Sequence, residues 1–247
     1  MPEIPVLVIN CAADVERRAS VVAGLQGVDP IWINGIDARL GAGVFKPFIH
    51  LIADQFWMKY DIKPGAFGCF MSHRMAWQRV LDAGFDQALI LEDDSRLVAD
   101  WQKHIKTGAD LLFVNNRAAL MAPSTDIQSL LANNADDRPR AIGGDGYVLT
   151  RNGAKTLLAL SDHDGVQCGV DWYMAYAGLD TAGLTHVDVK SIPEIKRMYK
   201  MFGPQSAQLT VQVLQQPIVI NNGTFDSSIK HSHRVKISDF RQAIEQA

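Results

Sequence analysis

The sequence predicts an α/β fold, a single domain over residues 1–247 with a central, mostly parallel sheet flanked by helices. Three observations carry this. Short runs of apolar, β-forming residues (Val6–Ile9, Ile31–Ile33, Ala88–Leu91, Leu111–Val114) alternate with segments of helical periodicity, the βαβ pattern of a parallel sheet. Several of these runs are continuously apolar rather than alternating, as expected of strands buried on both faces. With 247 residues, 47% of them hydrophobic, the chain is long enough to bury a large core. No repeat, low-complexity linker or convincing domain boundary interrupts it.

The elements follow in order. Val6–Asn10 reads as the first strand, and Asp14 as the cap of a helix through about Leu25, with Arg17 and Arg18 in its first turn. Basic side chains there oppose the helix dipole, so a ligand anion would justify them. Ile31–Ile33 is a second strand. Phe48–Tyr60 has the apolar spacing of one amphipathic helix. Gly65 and Gly68 predict a tight turn, with a helix from about Phe70 to Asp82 that puts Ser72 and His73 in its first turn. Trp101–Lys106 reads as helical and Leu111–Val114 as a buried strand, with Asn115 and Asn116 entering the same crevice. The polar stretch from Arg117 to Arg140 has the length of a lid or binding loop. Tyr147–Thr150 is a strand, followed by a helix from Asn152 or Gly153 to about Leu160. Asp171 opens a further helix, Val187–Val189 and Ile218–Ile220 are short strands, and a last helix begins at Ser238.

The chemistry is concentrated at the end of one strand. Ala88–Leu91 runs directly into Glu92, Asp93 and Asp94. At the carboxyl end of an open α/β sheet the chain emerges into the ligand crevice, so a rigid element would hold three carboxylates there. Like charges this close repel unless they share a cation, and a hard divalent ion completed by water and substrate phosphates suits them. The alternative is a solvated acidic turn in which Asp94 or Ser95 caps a helix starting near Leu97. The glycine cluster Gly143-Gly144-Asp145-Gly146 precedes its strand, unlike a dinucleotide fingerprint.

Composition narrows the class. A net charge of -3 disfavours a general nucleic-acid binder. Cys11, Cys69 and Cys168 are widely spaced and odd in number, which fits thiols in a reducing compartment. Neither a signal-type nor a bilayer-length apolar segment is visible, so a soluble cytoplasmic protein is expected. The basic run Lys230–Lys236 reads as a solvated tail segment, with closure over a diphosphate or a peripheral contact with an anionic membrane face as the alternatives.

The block Gly65–Leu97, with Gly68-Cys69, Ser72-His73, Trp77 and Leu91-Glu92-Asp93-Asp94 at these separations, resembles glycosyltransferase family 25, the lipooligosaccharide and collagen galactosyltransferase group. Ile9-Asn10 with Arg17-Arg18, Gly146-Tyr147 through Gly153-Ala154, Val170-Asp171 and Ser227-Ser228-Ile229 are similar to further family signatures, so the likeness extends from Ile4 to Ile229. It implies a GT-A type nucleotide-sugar-binding domain, a divalent metal (Mn²⁺ or Mg²⁺) on the acidic motif, and inverting transfer of a hexose such as galactose from a UDP-sugar to a glycan or lipid-linked saccharide. The chain departs from the pattern at Ala66, where the family carries glutamate, at Cys11, where leucine is usual, and at Asn221, where glutamine is expected.

On that resemblance Asp94 is the first choice as metal ligand and Glu92 the second, with His231 able to complete the shell. Asp93 would face the donor sugar or ribose, Asn10 the nucleoside, and Arg17, Arg18, Ser72 and His73 the diphosphate. Inversion requires a base for the acceptor hydroxyl; Asp171 is the candidate and Asp145 the runner-up. Two other classes remain open: a metal-dependent phosphohydrolase, and a catalytically silent relative that binds nucleotide, which Ala66 makes conceivable.

Overall fold

The computed structural model describes residues 4–105, 108–132, 141–186, 192–221 and 232–247. Strands β1 (Val6–Asn10), β2 (Ile31–Asn34) and β4 (Gln87–Glu92) are parallel, with β1 between the other two. Strand β7 (Gly146–Thr150) runs antiparallel to both β4 and β6 (Leu111–Phe113), and β8 (Val211–Val213) closes the far edge parallel to β6. The six-stranded order is β2-β1-β4-β7-β6-β8, so three of the five pairings are parallel, as expected.

Both faces of this sheet are covered, which explains the continuous apolar runs. Leu7 and Ile9, Ala88 and Ile90, Leu111 and Phe113, and Tyr147 and Leu149 join one core layer. Their neighbours Val6, Val8, Leu89, Leu91, Leu112 and Val148 join the other, as a two-residue period requires. Helices α2 (Pro64–Asp82), α4 (Arg151–Asp164) and α5 (Val170–Ala177) pack on the first layer, and α1 (Val15–Gly24) contributes Val21 to the second. Short α3 (Asn116–Met121) follows β6, capped by the Asn115 side chain, which accepts from Ala118 N at 2.7 Å. Helix α6 (Pro193–Phe202) packs against α5. Strand β3 (Asp61–Ile62) pairs with β10 (Val235–Lys236), which leads into α7 (Ile237–Gln246).

Four expectations are corrected. Gly65 and Gly68 form no turn before α2. The helix starts at Pro64, whose missing N–H is harmless in a first turn, and both glycines lie inside it. A Cβ on Gly68 would sit 2.8 Å from the Ile36 carbonyl oxygen, so close packing explains this glycine. Ser72 and His73 therefore lie two turns into the helix. Phe48–Tyr60 is not one amphipathic helix: a 3₁₀ segment, Ala42–Leu51, contains Pro47, and Trp57 and Met58 adopt left-handed φ values of 52° and 61° in a tight turn. No helix starts near Leu97; β5 (Ser95–Leu97) instead pairs antiparallel with β9 (Val219–Asn221). Trp101–His104 is a 3₁₀ turn. The expected strand Val187–Val189 lies outside the described residues.

Candidate functional site

The topology places every element end that matters on one edge. From β1 the chain goes through α1 to β2 on one side, while β4 flanks β1 on the other, so a crevice opens between β1 and β4 at their carboxyl ends. There Asn10 ends β1 and Glu92 ends β4, with Ile9 opposite Glu92 in register. Because β7 is antiparallel to β4, its first residue, Gly146, pairs with Leu91 and brings the loop Gly143–Asp145 to the same edge. A cleft of about 380 Å³ occupies this edge.

The three carboxylates of the acidic motif have three different environments. Asp93 is latched into the protein: its Oδ2 accepts from Asn10 Nδ2 at 2.7 Å, and its Oδ1 accepts from Arg17 Nε at 2.8 Å and also from the Arg17 terminal nitrogen. Glu92 falls on the α2 face, as the pleat after Ile90 requires, and meets His73 Nε2 at 3.3 Å. His73 is fully buried, its Nδ1 2.9 Å from the Tyr147 hydroxyl, which accepts from Trp77 Nε1 at 2.8 Å. Indole N–H can only donate, which leaves the tyrosine proton available to His73 Nδ1; in that arrangement the imidazole proton stands on Nε2, facing Glu92. Burial opposes ionisation of Glu92, but the hydrogen bond with His73, helped by Arg117 and Arg17, outweighs it and holds the carboxyl below its ordinary range. Asp94 is the reverse case. Burial, then the charges of Glu92 and Asp145, push its pKa up to about 6, and its buried Oδ1 has no hydrogen-bond partner among the described residues.

That orphaned oxygen is the observation that a cation would answer. Asp94 and Glu92 supply hard oxygen donors, which suit Mn²⁺ or Mg²⁺, whereas both oxygens of Asp93 are already engaged. Behind them Asp145 is completely buried and paired through Oδ1 with Arg117 at 2.6 Å. Gly143 allows that pair, since a Cβ there would meet Asp145 Oδ1 at 2.3 Å and Arg117 Nε at 2.6 Å, on a residue with φ +82°. Cysteine nucleophile chemistry is disfavoured: burial pushes Cys11 up to about 11 and raises Cys69 well above the usual thiol range.

Of the residues singled out from sequence, Asn10, Arg17, Ser72, His73, Glu92, Asp93 and Asp94 all line the cleft. Within it, the Ser72 hydroxyl is engaged structurally, donating to Gly68 O at 2.7 Å and accepting from Ile36 N at 2.8 Å. Arg18 turns away from the acidic motif and lies 4.0 Å over the Trp32 ring. Asp171 sits behind the Gly143 turn, its Oδ2 accepting from Gly143 N at 3.1 Å, and Asp145 faces Arg117; neither is among the described residues lining the cleft. His231 lies outside the described residues, whereas His233 lines the cleft and Arg234 pairs with Asp61 at 2.7 Å. Sequence reasoning missed Arg117, Tyr147 and the cluster in which Arg39 holds Asp37 and Asp14 at 2.7 and 2.8 Å. Only the unusual Asp37-Ala38-Arg39 spacing after β2 signalled the last.

Residues 3–174 match the model of glycosyltransferase family 25 (LPS biosynthesis protein). The chain belongs to glycosyltransferase family 25. Relatives in the family include the lacto-N-neotetraose biosynthesis glycosyltransferase LgtE of Neisseria meningitidis serogroup B, 24% identical over 193 residues, covering 72% of this chain and 68% of that protein. The inactive glycosyltransferase 25 family member 3 of Mus musculus is 26% identical over 110 residues, 41% of this chain and only 18% of the mouse protein. Among solved structures, the apo form of the bifunctional glycosyltransferase WbbM aligns at TM-score 0.40 and 10% identity, over 97% of this chain and 51% of that one. The matched segment contains the acidic motif, its α2 partners and Asp171. No helix among the described residues is long and apolar enough to cross a membrane.

Proposed function

We propose that this chain transfers a hexose, galactose in the first instance, from a UDP-sugar to a glycan or lipooligosaccharide acceptor with inversion, using a divalent cation held by Asp94 and Glu92. The observation that carries this reading is the buried Asp94 Oδ1, without a hydrogen-bond partner among the described residues, in the switch-point cleft of a family 25 chain. A divalent ion there would supply positive charge to the diphosphate as it leaves. The chain's own residues would do the rest. Asn10 and Arg17 fix Asp93, and through it the turn that carries Asp94, so that the carboxylate is preorganised on a rigid strand end. His73 keeps Glu92 ionised and oriented. Asp171 is the proposed base: burial raises its pKa and so its basicity; burial raises Asp145 too, but one of its oxygens is held in an ion pair by Arg117. The role in lacto-N-neotetraose biosynthesis for which the meningococcal relative is named favours a saccharide acceptor.

A second reading has two observations in its favour. Ala66 removes a carboxylate from the start of α2, and the mouse relative that matches part of this chain is named inactive. Nucleotide binding without turnover would follow.

Thermal unfolding with a panel of UDP-sugars, with and without Mn²⁺, tests both. Ligand at about 100 times its Kd adds about 2.7 kcal/mol to apparent stability. UDP-galactose is expected to raise the midpoint only with Mn²⁺, and Asp94→Asn to lose that dependence. No shift with any UDP-sugar in folded protein rejects the donor site. A shift without sugar release in the presence of any saccharide acceptor favours the silent reading.

A further inference from the structure

At the cleft floor, on the α2 side of Glu92, three unlike donors converge. Cys69 Sγ, a ring nitrogen of His73 and a carboxylate oxygen of Glu92 all lie within 4.8 Å of one another. They stand on rigid elements: Cys69 and His73 are one turn apart on α2, and Glu92 ends β4. A thiol, an imidazole and a carboxylate differ in kind from the oxygen donors around Asp94, and suit a borderline cation such as Zn²⁺ better than Mn²⁺ or Mg²⁺. Ligand atoms around tetrahedral zinc stand roughly 3.3–3.8 Å apart. His73 Nε2 and Glu92 Oε1 are already separated by 3.3 Å, and the sulfur lies within 4.8 Å of both ligating residues.

Two independent features fit the same ion. Gly144 backs the pair, since a Cβ there would press on Glu92 Oε1 at 3.1 Å and His73 Nε2 at 3.2 Å. The far nitrogen of His73 is held by Tyr147, itself bonded to Trp77, the outer support that ligating histidines carry. We propose that Cys69, His73 and Glu92 form a second cation site, selective for zinc-like metals, whose occupation withdraws Glu92 from the donor site. On binding, the Cys69 thiol releases its proton to solvent. The His73 ring proton passes from Nε2 to Nδ1, which then donates to the Tyr147 oxygen, and Nε2 ligates. A fourth position stays open to water on the cleft side. Inhibition of transfer rests on the function proposed above, whereas metal binding does not.

Co²⁺ is the probe, because a cobalt–thiolate bond gives a near-ultraviolet charge-transfer band and tetrahedral geometry gives intense visible bands. Metal-free full-length chain titrated with Co²⁺ should show both, saturate at one equivalent and lose them to one equivalent of Zn²⁺. Cys69→Ser should lose the charge-transfer band, while Cys11→Ser, which changes the other cleft thiol, should keep it. Absence of the band in the unsubstituted chain, or its survival in Cys69→Ser, overturns the proposal. Zn²⁺ protection against alkylation, read by mass spectrometry on the unsubstituted chain, gives a measure that needs no variant. Cys69 should be protected and Cys11 not; an unprotected Cys69 overturns the site. Mn²⁺-dependent stabilisation by UDP-galactose, measured on the same unsubstituted sample, separates the readings: its absence beside an intact cobalt band rejects the transfer function and leaves the zinc site standing.

Discussion

Asp94 carries its charge against two opposing forces, burial first and then repulsion from Glu92 and Asp145, which together lift its pKa from an ordinary 3.8 to about 6. The folded state then holds this proton more tightly than the unfolded chain does. Stability is therefore lost as pH rises between about 4 and 6, and the penalty is complete above that window. Its size is roughly 3 kcal/mol at most. Asp94→Asn should accordingly raise the urea midpoint of the metal-free protein at pH 7.5, with the gain shrinking toward zero near pH 4; an equal gain at both pH values would show that charge is not the cause. Asp171 calls for a different experiment. Asparagine retains an oxygen for Gly143 N, so Asp171→Asn should preserve donor-dependent stabilisation yet lower kcat by about 10²–10⁴-fold. An unchanged kcat would remove Asp171 as base.

Helix α2 decides the shape of the cleft, because it carries Cys69, Ser72 and His73 on the face that meets β1 and β4. Gly68 is the point at which it touches the chain after β2. Alanine would gain about 1 kcal/mol in helix propensity there. The approach of its Cβ to 2.8 Å from the Ile36 carbonyl oxygen works the other way, and overpacking of this kind costs about 1–3 kcal/mol. Ile36 cannot easily yield, since its N–H donates to Ser72 Oγ on the same helix. Gly68→Ala should therefore lower the urea midpoint, and a rise would show that the Ile36 segment gives way. This glycine also shows where the sequence misleads: read locally it signals a turn, because nothing in its neighbours reveals the strand-end carbonyl that needs the space. The main strands were legible because both faces are buried and the apolar runs are continuous. β8 was not, since Val211–Val213 is too short to show a period, and the proline-containing 3₁₀ segment imitates an amphipathic helix. Within the site, Glu92–Asp94 stood out as charges breaking an apolar run. Their partners Tyr147, Gly144 and Arg117 did not, because the antiparallel insertion of β7 beside β4 brings the first two there and α3, after β6, brings the third, and no local pattern announces either.

The family match ends at residue 174, yet the rest of the chain returns repeatedly to the N-terminal half. β8 completes the sheet edge, β9 pairs with β5 just after the acidic motif, and β10 pairs with β3 just before α2. Helix α7 then buries Ile237, Phe240 and Ile244 against the 3₁₀ segment Ala42–Leu51. The Phe240 ring lies 5.1 Å from Phe45 and 6.0 Å from Phe67, the residue that precedes Gly68 on α2. The last helix thus braces the element that holds His73 against Glu92, which argues for one cooperative unit over the whole chain. Phe240→Ala removes a buried ring and should cost about 3–5 kcal/mol. In a single domain that loss shifts one transition, with tryptophan fluorescence and far-ultraviolet circular dichroism still coincident, because unfolding α7 releases α2 and with it the sheet face around Trp77. A new early transition, beside a main transition at its original midpoint, would instead make β10 and α7 an appendage and confine the domain to the part of the chain that carries the family signature.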